Sequence, residues 1–146
     1  MKSDLFNELH SDHEQVKYIF SRIEKAADSK RGQFLSNLEE ALVPHMKAEE
    51  AVFYPALMEQ RAGRELAMMA LEEHRIAEGV LNECKALDAA SDECKVKCQV
   101  LQELVEHHIQ EEESKIFKSA RQLLKNQLDD LQEQFDEAKK QAMSHV

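Results

Sequence analysis

Four long stretches of the sequence carry apolar residues at helical spacing, and only short breaks divide them. The breaks are "ADSKRGQ" (27–33), "EQRAGRE" (59–65) and "LDAASDE" (87–93), and the whole chain has three Gly and two Pro at which to turn. Long helices joined by short connections run antiparallel to their neighbours. The sequence therefore predicts an all-α fold.

The predicted architecture is an up-down-up-down four-helix bundle in a single domain covering 1–146. We expect the four helices at about 3–27, 32–60, 64–88 and 92–122, with Ser3 as a plausible cap of the first. A further helical pattern predicts a short fifth C-terminal helix at about 127–142, packed on the outside of the bundle.

Charge and apolar content exclude several classes of partner. The net charge is −10 and no run of Lys or Arg forms a basic patch, so we expect no nucleic acid. The longest apolar runs fall far short of the ~20 residues that a membrane span needs. No secretion signal opens the chain. These features predict a protein of the cytoplasm.

The three cysteines, Cys84, Cys94 and Cys98, are an odd number, which argues against a closed disulfide framework and for a reducing compartment. We interpret them as small, partly buried residues of the helices. A metal or redox role is the alternative.

A histidine followed by a glutamate four residues later occurs five times in the chain. The pairs are His10/Glu14, His45/Glu49, His74/Glu78, His107/Glu111 and His108/Glu112. In so Glu-rich a sequence this spacing is common, and a pair on one helix surface is its ordinary interpretation. The direction of each pair relative to the apolar face decides which pairs matter.

Helical angles predict that His108 and Glu112 point into the bundle. On the fourth helix the apolar set is Val96, Val100, Leu101, Leu104, Val105, Ile109 and Ile116. With about 100° per residue, His108 and Glu112 fall within about 20° of the centre of that face. His107 and Glu111 fall roughly 80–120° away, where water reaches them.

The same test on the other helices predicts one inward histidine on each. On the second helix His45 and Glu49 lie near the face centre, on the third His74 lies inside, and on the first His13 lies closer to the face than His10. The sequence positions midway between consecutive inward histidines all fall in the breaks between helices. Antiparallel helices therefore bring these histidines to one level of the bundle.

Two buried carboxylates at this level need partners, because an isolated ionised Glu in a core costs several kcal/mol. No inward Lys or Arg is present at the same height, and a metal is the economical partner. Four imidazoles and two carboxylates exceed the four ligands of a structural zinc. They suit two metals bridged by the glutamates. Mixed nitrogen and oxygen ligation favours iron or manganese, although zinc and copper also accept imidazole.

The segments "DHEQV", "PHMKAEEAVFYP", "EEHRIAEGVL" and "EHHIQEEESKIF" resemble the hemerythrin-like, HHE cation-binding domain, in order and over nearly the whole chain. The resemblance implies two iron ions in a four-helix bundle, with an oxo or hydroxo bridge and with manganese or zinc less expected. It implies His13, His45, His74 and His108 as terminal ligands, and Glu49 and Glu112 as bridges.

The chain departs from the oxygen-carrying hemerythrins at two positions. Those proteins have a fifth histidine one turn before the third-helix ligand, where this chain has Ala70. Their second bridge is an Asp five residues after the last histidine, whereas Glu112 follows at four. The pattern is nearer the four-His, two-Glu subgroup, in which open metal positions are expected. Glu73 or Glu78 is a candidate for a further ligand.

The resemblance implies a non-haem di-iron protein that binds or reacts with dioxygen, peroxide or nitric oxide. One alternative is an iron or redox sensor, or an iron-handling protein, without catalysis. Another is a peroxide-degrading enzyme or an iron-centre repair factor. Repair members of the family carry an added N-terminal cysteine-bearing domain, and here Ser3 leads straight into the first helix, which weakens that interpretation. Whether the chain is an enzyme stays open, as does any protein partner.

Overall fold

The computed structural model describes residues 4–144, and this range forms no β-strand. Seven α-helical segments follow one another: α1 (Leu5–Lys25), α2 (Arg31–Ala48), α3 (Tyr54–Glu59), α4 (Arg64–Ala86), α5 (Asp92–Glu111), α6 (Phe117–Leu123) and α7 (Leu128–Met143). Because α2 runs on into α3, and α5 into α6, the segments make four long helices and a fifth C-terminal one. The predicted all-α bundle is confirmed.

Side-chain caps start two of the long helices. Asp4 caps α1 by accepting a hydrogen bond from the backbone N–H of Asn7 at 2.7 Å. Ser3, predicted for this role, lies outside the described residues. Ser91 caps α5 by accepting from the N–H of Cys94 at 3.1 Å. Such caps satisfy N–H groups that the first helical turn leaves without partners.

Two π-helical turns interrupt the long helices at matching places. One spans Glu49–Phe53 between α2 and α3, and the other spans Glu112–Ile116 between α5 and α6. In the first, the N–H of Tyr54 donates to the carbonyl of Glu49; in the second, the N–H of Phe117 donates to that of Glu112. These i→i+5 bonds add a residue to the turn and change the direction of the side chains beyond it. Both turns begin at a glutamate predicted to face the core.

The apolar interior consists of two clusters with a polar layer between them. One cluster contains Phe20, Leu38, Leu81 and Leu101. The other contains Phe53 and lies toward the opposite end of the bundle. Along each long helix, an inward histidine lies near the boundary between the residues of the two clusters. Each fully buried Leu or Phe contributes about 1.5–3 kcal/mol to the free energy of folding. The two clusters cover the polar layer on both sides.

The prediction for the apolar face of the fourth helix was partly wrong. Val96, Val100 and Leu104 are 56%, 44% and 36% exposed. The buried stripe of α5 passes instead through Cys94 and Cys98 to residues 101 and 105. The apolar arc of this helix is wider than the surface that its neighbours cover, so its margin stays in water. All three cysteines are buried and free, which agrees with packing residues.

The C-terminal helix α7 packs against α2 and the π turn that follows it. Its buried residues are Leu131 and Phe135, which join the second apolar cluster. No helix between residues 4 and 144 is both long enough and apolar enough to cross a membrane.

Candidate metal centre

All six residues predicted as ligands lie together in the polar layer and are buried. They are His13, His45, Glu49, His74, His108 and Glu112. The histidines that angle counting placed outside, His10 and His107, are exposed. The helical level deduced from the midpoints is therefore the level that the fold adopts. Their role as metal ligands remains a prediction.

The six residues form two overlapping sets of four. One set is His13, His45, Glu49 and Glu112, and the other is Glu49, His74, His108 and Glu112. Within each set, one nitrogen or oxygen per residue lies within 4.8 Å of all the others, which is the span of ligand atoms around one cation. Both carboxylates belong to both sets. The two sets therefore overlap at Glu49 and Glu112, and each could hold a metal ion.

The shared carboxylates face imidazoles on both sides. Glu49 Oε1 lies 3.2 Å from His45 Nε2 and 3.3 Å from His74 Nε2. The Oε1 atom of Glu112 lies 3.1 Å from His13 Nε2, and its Oε2 lies 3.4 Å from His108 Nε2. All four histidines thus turn Nε2 inward, so four nitrogen lone pairs and two carboxylates converge.

Several of these inward atoms lack a hydrogen-bond partner. Among the described residues this holds for His13 Nε2, both carboxylate oxygens of Glu49, and Glu112 Oε1. The close approach of His13 Nε2 to Glu112 Oε1 is a contact without hydrogen-bond alignment. Buried carboxylate oxygens without partners carry a large desolvation cost, which a bound cation removes. The residues present therefore fit a metal in chemistry as well as in position.

Four further carboxylates, arranged in a ring outside the layer, contact the outward-facing Nδ1 atoms of the four imidazoles. The Nδ1 atoms contact them at 2.8 Å (Asp12 to His45), 2.9 Å (Glu50 to His74), 2.6 Å (Glu73 to His108) and 2.6 Å (Glu113 to His13). Each long helix supplies a carboxylate to the histidine of the next helix, and the last returns to the first. An Nδ1–H that donates outward leaves the Nε2 lone pair free for a metal, and such outer partners orient metal-bound histidine.

Electrostatics favour protonated imidazoles at His45 and His108. Burial alone would lower the pKa of His45, but the charge of Glu49 and the hydrogen bond to Asp12 raise it to about 10. Burial likewise opposes the charge on His108, yet hydrogen bonds with Glu112 and Glu73 raise its pKa to about 10. A metal must displace these protons, so its binding releases protons.

Tyr54 places a hydroxyl group inside the layer. Its side chain is fully buried, and its oxygen lies 3.3 Å from His74 Nε2 and 3.2 Å from His108 Nε2. The hydroxyl donates a short hydrogen bond to Glu112 Oε2. At the matching place after the second π turn, Phe117 stacks on His13 with ring centroids 6.1 Å apart. One half of the site thus has a hydroxyl neighbour and the other an apolar ring.

A small cavity of about 20 Å³ lies between the imidazoles and the first apolar cluster. Leu42, Met46 and Val105 are among its walls. A volume of ~10–15 Å³ holds one water molecule, so this cavity admits a species of a few atoms and no more. The polar layer thus has a small cavity with apolar walls beside it.

The further ligands considered from the sequence do not point inward. Glu73 contacts the outer nitrogen of His108, and Glu78 pairs with Lys47 at 2.9 Å. The outer carboxylates had one signal in the sequence: each is the immediate neighbour of an inward ligand, as Asp12 is of His13. Tyr54 had no such signal in the sequence. In a regular α-helix, a residue five positions beyond Glu49 would point about 140° away from the direction of Glu49.

The fold and this layer together define a helical-bundle protein with a buried histidine–carboxylate cation site. The family model of the hemerythrin HHE cation binding domain matches residues 4–120. The chain belongs to that family, and the suspected family is confirmed.

A curated relative is a DNA nickase from Nostoc sp. (strain PCC 7120 / SAG 25.82 / UTEX 2576). It is 25% identical over 120 residues, which are 82% of this chain and 34% of the relative. The matched part thus spans about a third of that protein. No solved structure matches the chain.

Proposed function

We propose that the protein holds two iron ions between its four long helices and uses them to bind or react with dioxygen, peroxide or nitric oxide. The observation that carries the proposal is the pair of four-residue sets that share Glu49 and Glu112. One cation would need no shared carboxylates. Two overlapping sets of histidine and carboxylate supply each of two cations with two imidazoles and two bridges.

Iron is supported by the donor atoms and by family membership. Imidazole with carboxylate suits iron and manganese, although zinc and copper accept imidazole as well. Bound iron would supply electrons and open coordination positions for a small oxygen or nitrogen ligand. The small apolar cavity beside the imidazoles supports a ligand of two to four atoms.

The protein residues would prepare this chemistry in three ways. The outer carboxylates hold each Nδ1–H, so that the four Nε2 atoms stay aimed inward. The apolar clusters above and below exclude bulk water from the layer. Tyr54 donates its hydroxyl proton to Glu112 at the His74/His108 half and so fixes the orientation of that carboxylate.

DNA nicking, which the name of the Nostoc relative suggests, is not favoured for this chain. A net charge of −10 disfavours contact with phosphate backbones. The three free, buried cysteines support a reducing compartment such as the cytoplasm.

Metal analysis followed by a reaction with oxygen tests the proposal. The purified protein, loaded with Fe²⁺ without oxygen, should hold about two irons per chain. Mixing with oxygen should produce a charge-transfer absorption band that bleaches on reduction. A stable oxygen adduct favours carriage, steady peroxide consumption favours an enzyme, and a response to ligand without turnover favours a sensor. A protein that retains no metal contradicts the proposal.

A further inference from the structure

A chain of contacts connects the C-terminal helix to the metal layer. Lys139 Nζ on α7 lies 2.7 Å from Asp12 Oδ1, and the other oxygen of Asp12 lies 2.8 Å from His45 Nδ1. The ring of Phe135, one turn earlier on α7, packs edge-on against the His45 ring at 6.0 Å. Helix α7 lies beyond residues 4–120, the part that the family model matches.

Asp12 differs from the other three outer carboxylates in its burial. Its side chain is 11% exposed, whereas those of Glu50, Glu73 and Glu113 are 25%, 32% and 26% exposed. Water reaches those three carboxylates, and Glu50 also lies 3.5 Å from Lys47, whereas the more buried Asp12 needs a cation from the protein. Lys139 is that cation.

Metal binding makes this cation necessary. A histidine bound to metal through Nε2 is neutral, so His45 can donate a hydrogen bond to Asp12 but cannot neutralise it. A buried carboxylate without a cation carries a large desolvation cost and tends to turn toward water. Lys139 removes that cost and keeps Asp12 behind the imidazole.

Building on the proposed di-metal function, we propose that Lys139 is a positioning residue that acts through Asp12 to aim His45 at the His13/His45 half of the metal layer. Docking of α7 and metal loading of that half are therefore linked. Linkage is reciprocal: if a docked α7 tightens metal binding, the bound metal stabilises docked α7 by the same factor.

Titration with Fe²⁺ without oxygen, against a competing chelator, measures the expected effect. Removal of an outer partner of a metal-bound histidine costs about 10–100-fold in affinity. Lys139→Met removes the partner of the outer carboxylate Asp12 and should weaken one of the two metal equivalents by up to about tenfold, leaving the other near its original affinity. Lys139→Arg should restore most of the affinity, and the exposed neighbour change Lys140→Met should have no effect.

A double-mutant cycle with Asp12→Asn separates positioning from general support by α7. If Lys139 acts through Asp12, then Lys139→Met should add nothing in the Asp12→Asn background. Equal losses in both backgrounds mean that Lys139 only secures the helix, and they overturn the proposal. Hydrogen exchange gives an independent measurement: iron should slow exchange of the α7 amides in the unchanged protein and in Lys139→Arg, but not in Lys139→Met.

The outcomes also separate this inference from the proposed function. An unchanged protein that fails to bind two metals contradicts the di-metal function itself. Two metals in the unchanged protein, with unaltered affinities in Lys139→Met, contradict only the role of Lys139.

Discussion

Replacing His108 by alanine should affect one of the two residue sets and leave the other intact. The same replacement of its exposed neighbour His107 is the matched control. His108 is 8% exposed and belongs to only one of the two ligand sets, whereas His107 is exposed and belongs to neither. After His108→Ala, that set retains His74 and the two shared glutamates, while the other set keeps all four ligands. We therefore expect about one metal per chain instead of two.

The structure also gives the scale of the stability change. Truncation of His108 leaves a cavity and removes the partner of Glu73, whose carboxylate accepts from His108 Nδ1 at 2.6 Å. Large-to-small changes in a core cost about 2–5 kcal/mol, and the loss of a bound metal adds to that cost. His107→Ala removes an exposed ring and should stay within about 0.5 kcal/mol of the original protein.

The assay is iron content after anaerobic loading and dialysis, together with thermal unfolding of the loaded and chelated forms. Equal iron loss from His107→Ala and His108→Ala would refute the assignment of direction. Retention of two irons by His108→Ala would refute its role as a ligand.

Three further predictions concern removal of the metal, the hydroxyl of Tyr54 and the titration of Glu8. Removing the metal with a chelator should lower the melting temperature by roughly 10 °C, since a ligand at about 1,000 times its Kd contributes about 4 kcal/mol and each kcal/mol shifts a chain of this size by ~2–4 °C; Glu49→Gln should abolish that metal-dependent difference, and an unchanged difference would argue against bridging. Tyr54→Phe should keep two metals but alter the absorption spectrum of the loaded protein and cost about 1 kcal/mol for the lost hydrogen bond; an identical spectrum would place the hydroxyl outside the reactive half. Burial and the adjacent carboxyl of Asp136 raise the pKa of Glu8 from 4.5 to about 7, so the folded state holds a proton that the unfolded state has lost and stability falls as pH rises through that window. Urea unfolding at pH 8 should thus find Glu8→Gln more stable than the original by about 1–2 kcal/mol after allowance for solvent screening, with the difference closing toward pH 5 and none for the exposed control Glu24→Gln.

The position of the buried histidine–glutamate layer could be predicted because it depends on simple regularities. One inward histidine per helix follows from the helical angle, and a common level follows from the equal distances of the histidines from the breaks. The choice of His108 over His107 rested on an angle alone, and the buried and exposed states of these residues agree with it.

Features that depend on departures from the regular helix, or on contacts between helices, could not be predicted in this way. Tyr54 reaches the layer because the π turn that begins at Glu49 redirects it. The outer carboxylates act on histidines of neighbouring helices, so no pattern along one helix identifies them. Val96 lies on the apolar arc but stays exposed, because burial depends on which neighbours cover the arc.

Magnetic measurements on the iron-loaded protein test the central claim most directly, because they report whether two metals share ligands. Two cations bridged by Glu49 and Glu112 must lie close together, and their unpaired electrons must interact. We predict about two irons per chain with coupled spins, and loss of the coupling in Glu49→Gln. One isolated iron per chain, or two irons that behave independently, would contradict it.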